Sequence, residues 1–355
     1  MRSTLPFSLA IFAILCLIAP NAAADDSVQY APLAPLSHAN LTVVPLVLAE
    51  GQEAPGGDYL TFDEASDKGL VEVTELDGNT SSAQVSAVHV TSKADKPIYA
   101  MAGEVILGGK QDRIISKNTV IPPGEKKMKV GVFCVEQGRW NGRKAEFKSS
   151  GKVGHSKLRQ KAVFDNKQGE VWKEVSEQNK KSKAQNSTQT YKASLKKTEK
   201  KAKEYVEAIS PELAKQSGVV GIAVAIDGEM VALDAFANPN LFAKVRGRLL
   251  ESYALEAATS EDKKSGAKVG KSDAQDFLDE ARAAKKTERN DKSGDADNSY
   301  FDAAEVEQEP LREEIVDRVE RLEPTRVVVD PLTQFRYLST DDYQFRKQVV
   351  GLLRF

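Results

Sequence analysis

The sequence predicts an α+β fold: an antiparallel β-sandwich-like or meander sheet, followed by packed helices and a β-hairpin. Three observations predict it. Residues 71–136 hold short β-branched runs broken by Gly, Pro, Asn or Asp, too closely spaced for crossover helices, so antiparallel pairing follows. Apolar residues then recur at helical spacing between 171 and 209. Finally, two apolar runs flank Asp227-Gly228, a dipeptide suited to a tight two-residue hairpin turn.

The chain begins with a segment that reads as an export signal. Arg2 is the only charge before Asp25, positions 7–18 are apolar apart from Ser8, and small residues end the segment at Ala22, Ala23 and Ala24. That run is too short for a membrane span, which needs roughly 20 residues. Residues 1–24 are expected to be cleaved near Ala24, leaving an exported protein, periplasmic or secreted, with no transmembrane segment. Residues 25–40 are a lead-in. A strand follows at 43–48, and Pro45 places it at a sheet edge. Thr61-Phe62-Asp63-Glu64 is a capping box that opens a short helix. Strands are expected at Val71–Glu75, 84–91, 98–106, 113–116 and 126–136.

Helices come next. Val171, Trp172 and Val175 mark one face. Leu195, Thr198, Ala202, Tyr205, Val206 and Ile209 mark another, stopped by Ser210-Pro211. The hairpin pairs Val219–Ile226 with 229–233. Asn238-Pro239 caps a helix that runs through Leu241, Val245, Leu249 and Tyr253. These elements make one α+β domain, 41–257. Residues 258–310 are polar and read as a disordered charged linker. Leu311, Ile315, Val319 and Leu322 then predict a helix in a C-terminal segment, 311–355, with two short strands at 326–329 and 335–338.

Composition bounds the function. Of 355 residues, 41% are apolar and 29% charged, with a net charge of −2. This leaves enough apolar material for a core, and does not describe a globally basic nucleic-acid binder. Charge is nevertheless uneven. Residues 143–203 hold 18 Lys and Arg against 6 Asp and Glu, while 260–323 hold 12 against 19. The basic stretch is either a solvated helical face or a docking surface for an anionic envelope polymer. Cys16 lies in the signal, which leaves Cys134 without a disulfide partner. With three histidines in the chain, no histidine-rich metal site is expected, nor any cofactor.

Two stretches concentrate unusual polarity: Gly103-Glu104 through Gly108-Gly109-Lys110-Gln111-Asp112-Arg113, and Cys134-Val135-Glu136-Gln137-Gly138-Arg139-Trp140. With a strand period of two, Ile98, Ala100, Ala102, Glu104 and Ile106 share one face, and Val130, Val132, Cys134 and Glu136 share another. Both carboxylates continue apolar faces, so each needs a partner or a cleft. Arg113 and Arg139 are the nearest candidates, and Gly108-Gly109 can form an anion nest. Two readings stay open. In one, Glu104, Lys110, Gln111, Arg113, Glu136, Arg139 and Trp140 bind an anionic or nucleotide- or sugar-like small molecule without catalysis. In the other, they are a buried network that fixes strand register. A carboxylate-dependent hydrolase using Glu104 and Glu136 is a further alternative. The Gly-Gly-Lys run lacks the spacing of a P-loop, and Cys134 fits a small buried hydrophobe better than a nucleophile.

These runs, together with Leu41-Thr42-Val43-Val44-Pro45-Leu46, Thr61-Phe62-Asp63-Glu64-Ala65 and the helix from Asn238 to Tyr253, resemble the ARG-and-Rhodanese-Phosphatase-associated protein domain over about residues 38–257. The resemblance implies a domain boundary and a candidate site. The domains that give the family its name hint at nucleotide-derived or ADP-ribose-like ligands. The chain departs from the family in its export signal, charged linker and C-terminal extension, and export sets it apart from intracellular nucleotide signalling.

Overall fold

The computed structural model describes residues 12–17, 28–54, 56–76, 86–139, 146–260, 269–283 and 297–302, all within one unit, Met1–Asp302. A second unit, Ala303–Phe355, lies outside the described residues, and with it the helix and strands expected beyond position 310. The first strands are β1 (Phe12–Leu17), β2 (Tyr30–Pro32), β3 (Leu36–His38), β4 (Leu41–Leu48) and β5 (Leu60–Thr61). Helix α1 (Phe62–Asp67) starts at the expected capping box. Thr61 Oγ1 accepts from the Glu64 amide at 3.2 Å, and Glu64 Oε2 accepts from the Thr61 amide at 2.8 Å. Strands β6 (Val71–Glu75), β7 (Ala87–Ser92), β8 (Ile98–Ala100), β9 (Glu104–Gly108), β10 (Arg113–Ile115), β11 (Thr119–Ile121), β12 (Met128–Cys134) and β13 (Glu146–Val153) follow. Next come α2 (Ser156–Gln160), a π-helical turn at Lys161–Asp165, α3 (Gln168–Lys181) and α4 (Tyr191–Lys215). The hairpin β14 (Val219–Ile226) and β15 (Glu229–Phe236), helices α5 (Pro239–Thr259) and α6 (Lys271–Ala283), and β16 (Asp297–Asp302) complete the order. Pairing is antiparallel except at β1–β15 and β5–β8, and the fold is α+β, as the sequence predicts.

Six strands close into a barrel in the order β10-β12-β7-β6-β13-β9. The two-residue period sorts its side chains. Val88, Val90, Ile106, Ile115, Val130 and Val132 form one core. Val105, Ile114 and Phe133, one position out of phase, form another with Leu158, Ala162, Val171 and Val175 of the helices outside the wall. The larger sheet runs β16-β1-β15-β14-β4-β2. Ile222 and Val224 on one face pack with α4 and α5 through Ala202, Leu249 and Tyr253. Ala223, Ala225 and Leu233 on the other face pack with α6 through Phe277 and Leu278. Asp227 (φ 57°) and Gly228 (φ 85°) both take positive φ at the β14–β15 turn, the conformation Asp-Gly tolerates best.

Several expectations are corrected. β4 is an interior strand, because β14 pairs on one side and β2 and β3 on the other. Pro45 is tolerated because it falls between the β2 and β3 registers, on the flank where its carbonyl accepts from Leu33 N at 2.8 Å. The single strand expected at 98–106 is two. Gly103 (φ 95°) turns the chain, sending β8 into a three-stranded sheet with β5 and β11 while β9 enters the barrel. Helix α4 continues through Pro211 to Lys215, since packing of Ile209 and Leu213 holds the turn beyond a lost ladder bond. Within the expected disordered linker, Lys271–Ala283 is a helix that buries Ala274, Phe277, Leu278 and Ala281. Four apolar residues at spacing three, one and three suffice for one buried stripe.

Candidate functional site

The polar strip divides among three centres. The first is Arg139, which follows β12. Its Nε donates to Glu136 Oε2 at 2.7 Å, Nη1 to the Gly109 carbonyl at 2.9 Å, and Nη2 to Asp112 Oδ1 at 2.9 Å and the Gly108 carbonyl at 3.3 Å. The β9–β10 loop is stitched to the same segment by Gln111 Nε2, which donates to the Glu136 carbonyl at 2.7 Å and the Gln137 carbonyl at 3.2 Å. The Asp112 amide adds a bond to Glu136 Oε2 at 3.3 Å. Gly108 (φ 133°) and Gly109 (φ 49°) turn their carbonyls to the arginine, and a Cβ at either would strike Glu146 or Phe147. Burial raises the Asp112 carboxyl above its ordinary pKa. The Gly108 amide opposes this, the charge of Glu136 adds to it, and Arg139 opposes it again.

The second centre is Arg113, wholly buried at one end of the barrel. Nη1 donates to the Gln111 carbonyl at 2.7 Å and Nη2 reaches Glu75 Oε1 at 3.5 Å, with the guanidinium 5.7 Å from the centre of the Phe147 ring. The Lys110 amide caps the same Glu75 oxygen at 3.0 Å. Cys134 lies opposite Arg113 in the ladder. Burial pushes its thiol up to about 11, so it is a buried apolar group rather than a thiolate.

Glu104 belongs to neither centre, because it opens β9, whose far end carries Gly108 and the loop to Arg113. It pairs with Arg248 of α5 and accepts from the Met101 amide at 3.0 Å. Burial raises its carboxyl, against the pull of Arg248. The Arg248 side chain is 12% exposed. One of its terminal nitrogens, Nη1, holds Glu104, while the other, Nη2, is buried and has no hydrogen-bond partner among the described residues. Arg248 lines a small cleft, partly open to solvent, between β13, α4 and α5, with Lys152, Leu195, Glu199, Glu251 and Leu255. Lys152 Nζ is bound there to Glu251 Oε1 at 2.5 Å.

Thus Gln111, Glu136 and Arg139 come together with Asp112, while the Lys110 backbone and Arg113 meet at Glu75. Glu104 stands apart, and Trp140 lies outside the described residues. Glu104 and Glu136 are held by different arginines and share no hydrogen-bond partner among the described residues.

Sequence reasoning missed a second wholly buried arginine. Arg159 of α2 donates from Nη1 to Asp234 Oδ2 at 2.9 Å and to Tyr253 Oη at 3.1 Å, and from Nη2 to Asp234 Oδ1. Beside it, His155 Nε2 lies 2.8 Å from Glu174 Oε1 and Nδ1 lies 3.0 Å from Tyr191 Oη. Burial raises the Glu174 carboxyl, but the His155 contact and charge outweigh it and hold the group at about 2. A signal was present: Asp234 is the single charge inside the apolar run Val231-Ala232-Leu233-Asp234-Ala235-Phe236, and a lone carboxylate there requires a cation.

No group of three or more His, Cys, Asp or Glu able to hold a metal is present among the described residues. Nor is any helix there long and apolar enough to cross a membrane. Comparison with curated proteins and with solved structures returned no match. The ARG and Rhodanese-Phosphatase-superfamily-associated Protein domain matches residues 29–318, a span that takes in both the β9–β10 loop and its Arg139 clamp as well as the Glu104–Arg248 cleft. The chain belongs to the ARG and Rhodanese-Phosphatase-superfamily-associated Protein domain family.

Proposed function

We propose that this is an exported, non-enzymatic binding domain that holds a small anionic ligand in the cleft of Arg248. The observation that carries this reading is the buried, unfilled Nη2 of Arg248 beside an otherwise paired cleft. A guanidinium fixed on one side by Glu104 keeps its second nitrogen buried and unpaired, which favours a carboxylate or phosphate there. Val153, Leu195 and Leu255 supply apolar wall for the body of the ligand. Arg139, with all of its acceptors drawn from the protein, serves as scaffold. A hydrolase would need Glu104 and Glu136 on one substrate, and their separate arginines favour binding over catalysis.

Calorimetric titration of the full chain with nucleotides, sugar phosphates, dicarboxylates and inorganic phosphate tests the reading. Arg248→Lys keeps the charge facing Glu104 but loses the second nitrogen, and is expected to weaken binding roughly tenfold or more, the worth of a charge-assisted hydrogen bond. No binding by any of these ligands to folded protein, or equal binding by the variant, overturns the proposal. Export is tested separately by sequencing the mature N-terminus. Cleavage near Ala24 would remove β1 from between β15 and β16 and free the β15 edge.

A further inference from the structure

We propose that the solvent face of α4 is a docking surface for an anionic lipid bilayer, independent of the Arg248 cleft. Lys192, Lys196, Lys197, Lys200, Lys201 and Lys203 are all exposed along the first half of this helix, a stretch of roughly 17 Å at 1.5 Å per residue. The spacings 192-196-200 and 197-201 are single helical turns, so the charges stand in two adjacent rows. Their compensation is partial, since exposed Glu199, Glu204 and Glu207 share the helix. Lys203 meets Glu207 at 3.6 Å, Glu199 lies nearest Lys152 at 3.9 Å, and the other five lysines make no ion pair among the described residues. Asn179 Nδ2 donates to the Thr190 carbonyl at 3.2 Å, which ties the end of α3 to the start of α4. The exposed Lys180, Lys181 and Lys183 therefore extend the same field.

The chemistry of the face selects the partner. Every exposed base on it is lysine, a compact point charge without the planar fork that reads phosphate geometry. No aromatic ring is interleaved to stack nucleobases, and the surface is a convex helix rather than a groove that could follow a strand. A broad array of anionic headgroups meets these features, and each lysine near such a surface adds to the attraction.

Sedimentation with lipid vesicles tests the proposal. The full chain should bind vesicles containing about 30 mol% phosphatidylserine at about 0.05 M salt, ignore pure phosphatidylcholine, and be released at about 0.5 M salt, where the Debye length falls to about 4 Å. Lys196→Glu/Lys197→Glu/Lys200→Glu should cut partitioning by more than about tenfold, and the corresponding Gln variant should lose less. Both variants should melt as the wild type does, because these side chains point to solvent. Binding unchanged by the triple reversal, no binding at low salt, or stronger capture by double-stranded DNA at equal phosphate concentration overturns it.

Discussion

Replacing Arg139 by Ala separates a structural clamp from a ligand contact. The guanidinium makes four hydrogen bonds, two to carboxylates and two to backbone carbonyls of one loop. Its removal leaves Glu136 and Asp112, with side chains only 7% and 9% exposed, facing each other without the cation that bonds to both. Breaking a buried pair costs about 3–5 kcal/mol. Arg139 is itself 25% exposed, so solvent screening sets the expectation near the lower end, about 3 kcal/mol. For a domain of this size that corresponds to a fall of roughly 6–12 °C in Tm. Urea unfolding at neutral pH, followed by circular dichroism, measures the loss directly. A control isolates the cause: adding Asp112→Asn and Glu136→Gln to Arg139→Ala removes both stranded charges and should recover at least half of the stability. A loss below about 1 kcal/mol for Arg139→Ala, or no recovery in the triple variant, would refute the clamp.

Three further outcomes follow from the same geometry. Gly103→Ala places a Cβ 2.5 Å from Arg159 Cγ at a φ of 95°, and should destabilise the domain by about 3 kcal/mol or more in urea. Because the Glu174 carboxyl is depressed to about 2, its contribution is complete above the ordinary carboxylate pKa and lost as pH falls from about 4.5 towards 2. That is roughly 3 kcal/mol of acid sensitivity, which a Glu174→Gln variant should lack in its stability-versus-pH curve. With its thiol near 11 and buried, Cys134 should resist a disulfide reagent at mildly alkaline pH in the folded protein and react fully once urea unfolds it. Rapid native labelling would contradict the burial.

Local chemistry made much of the fold legible. Thr61 and Glu64 announce a helix start, Asp227-Gly228 a turn, and Asn238-Pro239 a cap, because each signal lies within a few residues of what it causes. Pro45 and Pro211 misled for one reason: a proline is costly according to which backbone partner it displaces, and packing partners far along the chain decide that. The site was half legible. Arg139 and Glu136 are three residues apart and meet. Glu104 was grouped with the same strip because it continues an apolar strand face, but it opens β9 at the end away from Gly108. Its true partner, Arg248, stands among apolar residues of a helix read as core, and nothing local to position 104 points to it.

Charge alone does not tell a ligand site from a structural ion pair, and the energetics explain why. A buried ion pair is close to neutral against a well-packed apolar pair, so a buried arginine says as much about specifying contacts as about stability. The sequence separations bear on this: Arg139 reaches Asp112 across 27 positions, Arg113 reaches Glu75 across 38, Arg159 reaches Asp234 across 75, and Arg248 reaches Glu104 across 144. Each pair ties segments that hydrophobic patterning alone would leave free to slip in register. At Arg139 both terminal nitrogens and Nε find acceptors within the protein, and these four bonds leave one of its five N–H donors over. Arg248 differs because one edge is held and the other is unfilled. A ligand anion there would complete the guanidinium that already joins β9 to α5, so its binding would tighten the contact between barrel and helix layer without dismantling any existing pair.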